Sequence, residues 1–562
     1  MLDVVRSTPT LNPVDYAVIS QSLLAAAREM GVKLIRSSYS TIVREAQDAS
    51  AALFDRDGNV VAQAELVPLQ LCSMSDIFRA CARLFPPETL KEGDFYINSD
   101  PYSGGQHLQD VFIYSPIFLD GELIGFAGTV AHHLDLGGGN PGMTPDAVDV
   151  HAEGIIFPPS VYSFDRDWNG GPLERFVAAN IRVPHQTIGD FYAQFAANAV
   201  GVERMRQLAR KYGTDRLDAA MRELMDYSER RFRAAITEVP DGVYEGEDAV
   251  DDDGVDDEPL RVRARVEITG DRISVDYSGT CDQVSCYLNC PFASTVSATL
   301  TVMKSVLTDP EIPFNEGLKR PVEISAPSGS IVNPEYPVPV RARTLVAYRC
   351  FNAIMKALAK AVPDRVIAGG NDTSHSLCFS KLNNGRYKVY HEIYGGGFGA
   401  SLDQDGCDGV DSVLSNCTNA PIETIDADFE HVRIVEYGLL TDTGGPGRYR
   451  GGLGLFRRFE ILQDGVNFAS YSDRMKLEPY ALDGGHRGTL ARIEIERDGE
   501  VIPVASKQMQ VLKKGDIVVL YSSGGGGYGD PAERAPEAIA DDLRNGLISL
   551  DAARELYGAA VE

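Results

Sequence analysis

Residues 100–142 read DPYSGGQHLQDVFIYSPIFLDGELIGFAGTVAHHLDLGGGNPG. They hold three of the nine histidines, His107, His132 and His133, with Asp110 and Asp135 beside them. VFIYSPIF and GELIGFAGTVAHH have the β-branched and aromatic content of strands. Hairpin-like pairing of the two would return His132 beside His107 and Asp110. His107-x-x-Asp110 sets two donors within one turn. Two imidazoles with a carboxylate suit a divalent first-row metal that keeps a position open for water. Strand alternation turns only one of His132 and His133 towards such a site. The other, with Asp135, is placed to orient a ligand or move a proton. The same spacing also suits an ordinary hydrogen-bonded pair, so the pattern leaves a structural role open. Gly104-Gly105 and Gly137–Gly139 would let the backbone come close to a substrate.

Upstream, Ile19, Leu23, Leu24, Ala27 and Met30 recur at helical spacing within 15–35. SAALFDRDGNVVAQ (50–63) reads as a strand pair about Asp57-Gly58, and a helix over 74–85 stops at Pro86-Pro87. Downstream, EGIIFPP (153–159) extends the expected sheet, and 188–213 and 215–236 read as amphipathic helices. EGEDAVDDDGVDDEP (245–259) reads as a solvated hairpin loop, with almost nothing to bury and no EF-hand ligand spacing. LRVRARVEI and DRISVDYSG follow as strands, then helices over 294–307 and 344–362. From about residue 390 the glycine runs YGGGFGAS, GGPGRYRGGLG, DGGHRG and SSGGGGYGDP alternate with short strands, marking tight turns and close backbone approach. The fold class expected is α+β and multidomain: a mixed α/β metal-binding region (1–240), a central α+β region (241–385), a Gly-rich, mostly β region (386–531) and a helical tail (532–562).

A chain of 562 residues exceeds one core, which stops growing at about 250–300 residues. Lys+Arg 53 against Asp+Glu 81 gives a net charge of −28, a surface that phosphate backbones would repel, so no nucleic-acid partner is expected. No run approaches the roughly 20 apolar residues of a membrane span. MLDVVRSTPTLNP has acid and proline where a secretory signal needs basic then apolar residues, and a cytoplasmic location is expected. Cys281, Cys286 and Cys290 form the one cysteine cluster; they could hold a soft metal or be small buried residues. GGGGYG (524–529) satisfies G-x-G-x-x-G, yet Asp530-Pro531 stands where a nucleotide fold opens a helix, and GGGFGA (395–400) fits no better. No G-x-x-x-x-G-K-[ST] occurs, so no ATP-binding loop is expected in this chain.

The chain resembles the hydantoinase B/oxoprolinase family, related to components of acetone and acetophenone carboxylases. The resemblance rests on DPYSGGQHLQD (100–110), HHLDLGG (132–138), GDFYAQFAAN (189–198), VDYSGTCDQ (275–283), NPEYPVPVRAR (333–343), GGPGRYRGGLG (444–454), SDRMKLEP (472–479) and GGGGYGDP (524–531). It implies that His107, Asp110 and His132, with Asp48 of REAQDASAALFD, bind one divalent transition metal (Zn, Mn or Fe). His133 and Asp135 stand as catalytic neighbours. It also implies an A-type partner subunit that uses ATP and Mg, an (αβ)n hetero-oligomer, and a small cyclic amide (hydantoin, 5-oxoproline or lactam) or ketone as substrate. Ser99 and the Ala46-Gln47 pair depart from the family pattern beside these donors. Glu153 and Tyr102 are expected to line the pocket. Arg341 and Arg343 would bind an anion or pair with carboxylates at the surface. His151, His185, His375, His391, His431 and His486 stand alone and read as structural.

Overall fold

A computed structural model describes residues 11–559; the first ten residues, which carry part of the reading against a signal peptide, lie outside them. Six strands, β1 (Ala49–Phe54), β2 (Val60–Gln63), β3 (Asp94–Asn98), β4 (Asp110–Leu119), β5 (Glu122–His132) and β6 (Ser160–Ser163), form an antiparallel sheet in the order β2-β1-β5-β4-β3-β6. Asp120 and Gly121 join β4 to β5 with φ of 52° and 85°, the two left-handed residues of a tight hairpin turn. Helices Pro13–Ser37 and Pro184–Tyr212 pack on one face of this sheet. On the other face, Ile77 and Phe78 of helix Met74–Leu84 join Phe54, Tyr114 and Phe126. Cover on both faces explains why β1 is buried along its whole length instead of alternating. EGIIFPP does not extend the sheet. Residues 154–159 form no strand, and β6 begins only past Pro158-Pro159, which bring no amide to a ladder.

The second sheet comprises β7 (Gly242–Val250), β8 (Leu260–Thr269), β9 (Arg272–Asp276) and β10 (Val322–Ser325), in the order β10-β9-β8-β7. Val262, Ala264, Val266 and Ile268 alternate inward along β8, under helices Phe292–Leu307 and Arg343–Leu358. The acidic stretch is not simply a solvated loop. Its first six residues belong to strand β7, Asp251 and Asp252 are buried, and the Asp248 side chain is only 8% exposed. Asp248 accepts from Arg349 (2.9 Å), Lys356 (3.0 Å), Asn352 (3.0 Å) and Arg474 (3.2 Å), partners that lie far along the chain.

The last third is strand-rich, as the glycine runs imply. β11 (His375–Asn383), β12 (Arg386–Tyr394), β15 (Val466–Tyr471) and β18 (Lys507–Leu512) form one sheet. β13 (Val432–Leu439), β14 (Leu455–Ile461), β16 (Arg492–Arg497), β17 (Glu500–Val504) and β19 (Ile517–Tyr521) form another. Leu377, Phe379 and Phe468 of the first sheet share a core with Phe459, Ile493 and Val518 of the second. The glycine runs meet backbone to backbone beside this sandwich. A Cβ on Gly397 would lie 1.9 Å from the Gly452 carbonyl oxygen, and one on Gly525 1.9 Å from that of Phe398. The amides of Gly525, Gly526 and Gly527 donate to the carbonyls of Gly452, Gly369 and His486, so this run is committed to its own lattice. Two short helices, Pro536–Arg544 and Leu550–Glu555, form the tail. Among the described residues no helix is long and apolar enough to cross a membrane.

Candidate metal centre

Three neighbouring strand ends set the donors in a row. Asp110 opens β4 and faces His132, the last residue of β5, in the antiparallel register. Asp48 immediately precedes β1, and its carbonyl accepts the His132 amide at 3.0 Å. His107 reaches the row by the turn before β4, where its Nδ1 accepts the amides of Gln109 (3.0 Å) and Asp110 (3.1 Å). Ligand atoms of His107, Asp110 and His132 lie within 4.8 Å of one another, the one such grouping among the described residues. Cys281, Cys286 and Cys290 form none. His132 Nδ1 is 3.4 Å from Asp48 Oδ2 and 3.7 Å from Asp110 Oδ1. Gln70 Nε2 donates to both carboxylates, at 2.8 Å to Asp48 and 3.1 Å to Asp110, and Arg343 donates to Asp110 Oδ2.

These residues fit a cation electrostatically. Burial pushes the Asp48 carboxyl up to about 7. Burial and the charge of Asp48 hold Asp110 well above the usual carboxylate range. Burial and the charge of Arg341 hold His132 well below the usual imidazole range. Carboxyls that resist ionising beside an imidazole, His132, that resists protonation make an environment that a positive ion relieves. His132 Nε2 is buried with no hydrogen-bond partner. His107 adds one condition. With Nδ1 accepting two amides, the neutral ring carries its proton on Nε2, so ligation through Nε2 requires that proton to leave or move.

Asp48, His107 and His132 line one side of a cavity of about 40 Å³, which also touches Gln70, Arg341, Arg343, Ser376, His391 and Tyr471, while Asp110 lies behind it. That is room for roughly three waters, less than a lactam ring fills. His133 points the other way, as strand alternation requires. Its ring stacks on Phe191 with centroids 4.0 Å apart, and its Nε2 meets Gln194 at 3.0 Å. Asp135 accepts the amides of Gly137 and Arg182 and pins the glycine loop to the start of helix Pro184–Tyr212. Glu153 is buried and accepts the amides of Val340 (2.9 Å) and Arg341 (2.7 Å), which anchors the cavity wall. Tyr102 donates to the Val338 carbonyl outside that cavity. Arg341 and Arg343 are buried instead of pairing at the surface, because the cavity draws both inward. His391, read as a lone structural residue, lines the cavity with its ring centroid 5.9 Å from that of His132. No spacing in the chain could reveal it, since β12 reaches the cavity only through tertiary packing.

Fold and site together define a multidomain α+β protein whose amino-terminal sheet presents an enclosed imidazole–carboxylate pocket. The chain belongs to the hydantoinase B/oxoprolinase family, whose sequence model matches residues 12–531. It is 35% identical over 569 residues to a putative D-/L-hydantoinase component, the B-type one, from Pseudomonas sp. (strain NS671), covering 98% of this chain and 95% of that one. The beta component of the caprolactamase from Pseudomonas jessenii is 32% identical, with 98% and 97% covered. The crystal structure of the ATP-dependent caprolactamase from that organism superposes with a TM-score of 0.89 at 29% identity, over 98% of this chain and 97% of that chain. A nucleotide-free acetone carboxylase structure superposes with a TM-score of 0.88 at 19% identity, over 98% and 80%, a likeness of fold alone.

Proposed function

We propose that this chain is the B-type component of a heteromeric ATP-dependent amidohydrolase that opens a cyclic amide such as a hydantoin, 5-oxoproline or a lactam. The observation that carries the reading is the clustering of Asp48, His107, Asp110 and His132 beside one small cavity, which Asp48, His107 and His132 line, in a chain matched along 98% of its length by relatives named as hydantoinase and caprolactamase components. A partner A-type subunit phosphorylates the amide oxygen with ATP, releasing ADP, and this chain adds water to the activated carbon; the ring C–N bond then breaks with the amine as leaving group, and a second water releases the phosphoryl group as phosphate to leave the carboxylate. Asp48, His107, Asp110 and His132 would hold a divalent transition metal, which when bound supplies Lewis acidity and lowers the pKa of water. The chain's own side chains do the rest. Arg343 fixes the Asp110 carboxylate, Gln70 bridges both carboxylates, and the narrow cavity excludes bulk water.

The test is ADP release and ring opening by the chain co-purified with its A-type partner, over a panel of hydantoin, 5-oxoproline and caprolactam. Ring-dependent ADP release, abolished by His132→Ala, is the expected result. ADP release that depends on bicarbonate plus a ketone would replace the hydrolase reading with a carboxylase one. Full turnover by His132→Ala with its metal lost would reduce the chain to a scaffold.

A further inference from the structure

The cavity wall across from the donors has a different chemistry. Arg341 is 7% exposed, donates to the Gly142 carbonyl, and forms no ion pair among the described residues. His391 on β12 is 4% exposed, and neither of its ring nitrogens has a hydrogen-bond partner. Leaving both nitrogens of a buried imidazole unpaired is unfavourable unless something else occupies them. Ser376 and Tyr471 also line this wall; the Ser376 hydroxyl donates to the Ser374 carbonyl over a long 3.4 Å, and the Tyr471 hydroxyl accepts the Thr144 amide at 3.4 Å and keeps its proton to give. The charge of Arg341 bears on His391, His132 and Tyr471, and on the buried carboxyls of Asp110 and Glu153, both of which burial pushes up, which sets it at the centre of this surface.

The balance of charge points the same way. Asp110 is matched by Arg343, and Asp48 is the one carboxylate lining the cavity opposite Arg341. A further acid nearby, Asp411, is turned to the Ser415 hydroxyl and the Cys417 amide. A divalent cation on the donor side would therefore add two positive charges to a buried space with no further carboxylate on its wall. Buried charge in such surplus calls for an anionic partner. Guanidinium N–H groups that share a cavity wall with imidazole and hydroxyl groups supply the donor chemistry that oxyanions prefer.

We propose that Arg341 and His391, with the hydroxyls of Ser376 and Tyr471, form an oxyanion-binding subsite facing the metal donors, which receives the phosphoryl group of an activated amide or the carboxylate released when its ring opens. The source of the anion rests on the amide-opening reading; anion binding itself does not. In that reaction the subsite holds the charged end of the substrate while its carbon faces the donor side. Of the two arginines in VRAR, Arg343 serves the donors and Arg341 serves the anion.

The experiment titrates inorganic phosphate, and separately acetate, into the purified full chain with its metal content measured, following binding by calorimetry and phosphorus NMR. No substrate or ATP is present, so a failure of the amide reading leaves the outcome unaffected. Arg341→Gln and His391→Leu are each expected to weaken phosphate binding by roughly tenfold, the weight of one charge-assisted hydrogen bond, with bound metal unchanged. Equal losses for acetate assign the subsite to the carboxylate, and losses for phosphate alone assign it to the phosphoryl group. His391→Leu keeps the test standing if Arg341→Gln, which also gives up the Gly142 contact, fails to fold. Phosphate and acetate affinities that neither substitution alters, or no binding of either anion by the wild-type chain, would overturn the proposal.

Discussion

His132 and His133 are adjacent and chemically identical, yet the sheet sends them to different tasks. His132 faces Asp48 and Asp110, while His133 lies against Phe191 and Gln194, where burial pushes it down to about 4. Elemental analysis of two purified variants separates them: His132→Ala should lose its metal, and His133→Phe should retain it. The second variant should lose about 1–3 kcal/mol of stability, because Gln194 is left without its partner. Glu153 gives a pH-dependent counterpart. Burial raises its carboxyl to about 8 from an ordinary 4.5, so the folded chain holds a proton that the unfolded chain releases. Its contribution is therefore whole below about 4.5, falls as pH rises, and is gone above about 8. Denaturant unfolding between about pH 5 and 8 should show wild-type stability falling more steeply than that of Glu153→Gln, by up to about 1.4 kcal/mol per pH unit. Glutamine keeps an oxygen for the Val340 and Arg341 amides, so equal slopes would mean that Glu153 is already ionised.

Among the elements, hairpins and helices were the legible part of the sequence, because their signals are local. The β4–β5 pairing and the helices over 13–37, 74–84 and 184–236 follow from periodicity and turn residues. Elements whose stability comes from afar were not legible. β7 reads as a loop because 245–253, EGEDAVDDD, is mostly acidic, and the arginines that neutralise Asp248 come from 349 and 474. The grouping of His107, Asp110 and His132 was visible in the sequence and VRAR marked Arg341, but Gln70 and His391 reach them only through the fold. The glycine lattice shows the same limit: its runs signal close approach without saying what approaches what. Gly525→Ala would set a methyl 1.9 Å from the Phe398 carbonyl oxygen, in a place where backbone and not a flexible side chain must yield. It should cost more than about 3 kcal/mol and greatly reduce soluble yield, measured by thermal unfolding and expression.

At the scale of the whole molecule, Asp248 ties the second sheet to the carboxy-terminal sandwich. Burial alone would raise its carboxyl, but the charges of Arg474, Arg349 and Lys356 hold it well below the usual range. The stabilisation it gives is present above its ordinary 3.8 and is lost as pH falls beneath that value. Asp248→Ala leaves Arg349 and Arg474 buried without their shared partner. It should lower stability by about 3–5 kcal/mol, read from the denaturant midpoint. Retention of the wild-type midpoint would mean that Asp372 and Asp473 already satisfy both arginines.

The two walls of the cavity enter the chain at different times. Every proposed metal donor lies between residues 48 and 132, whereas Arg341, Ser376, His391 and Tyr471 follow much later. A nascent polypeptide leaving the ribosome thus carries all four proposed donors while their counter-wall is still unsynthesised. The donors can come together as the first sheet zips, but a finished chamber requires the carboxy-terminal sandwich to arrive and shut it.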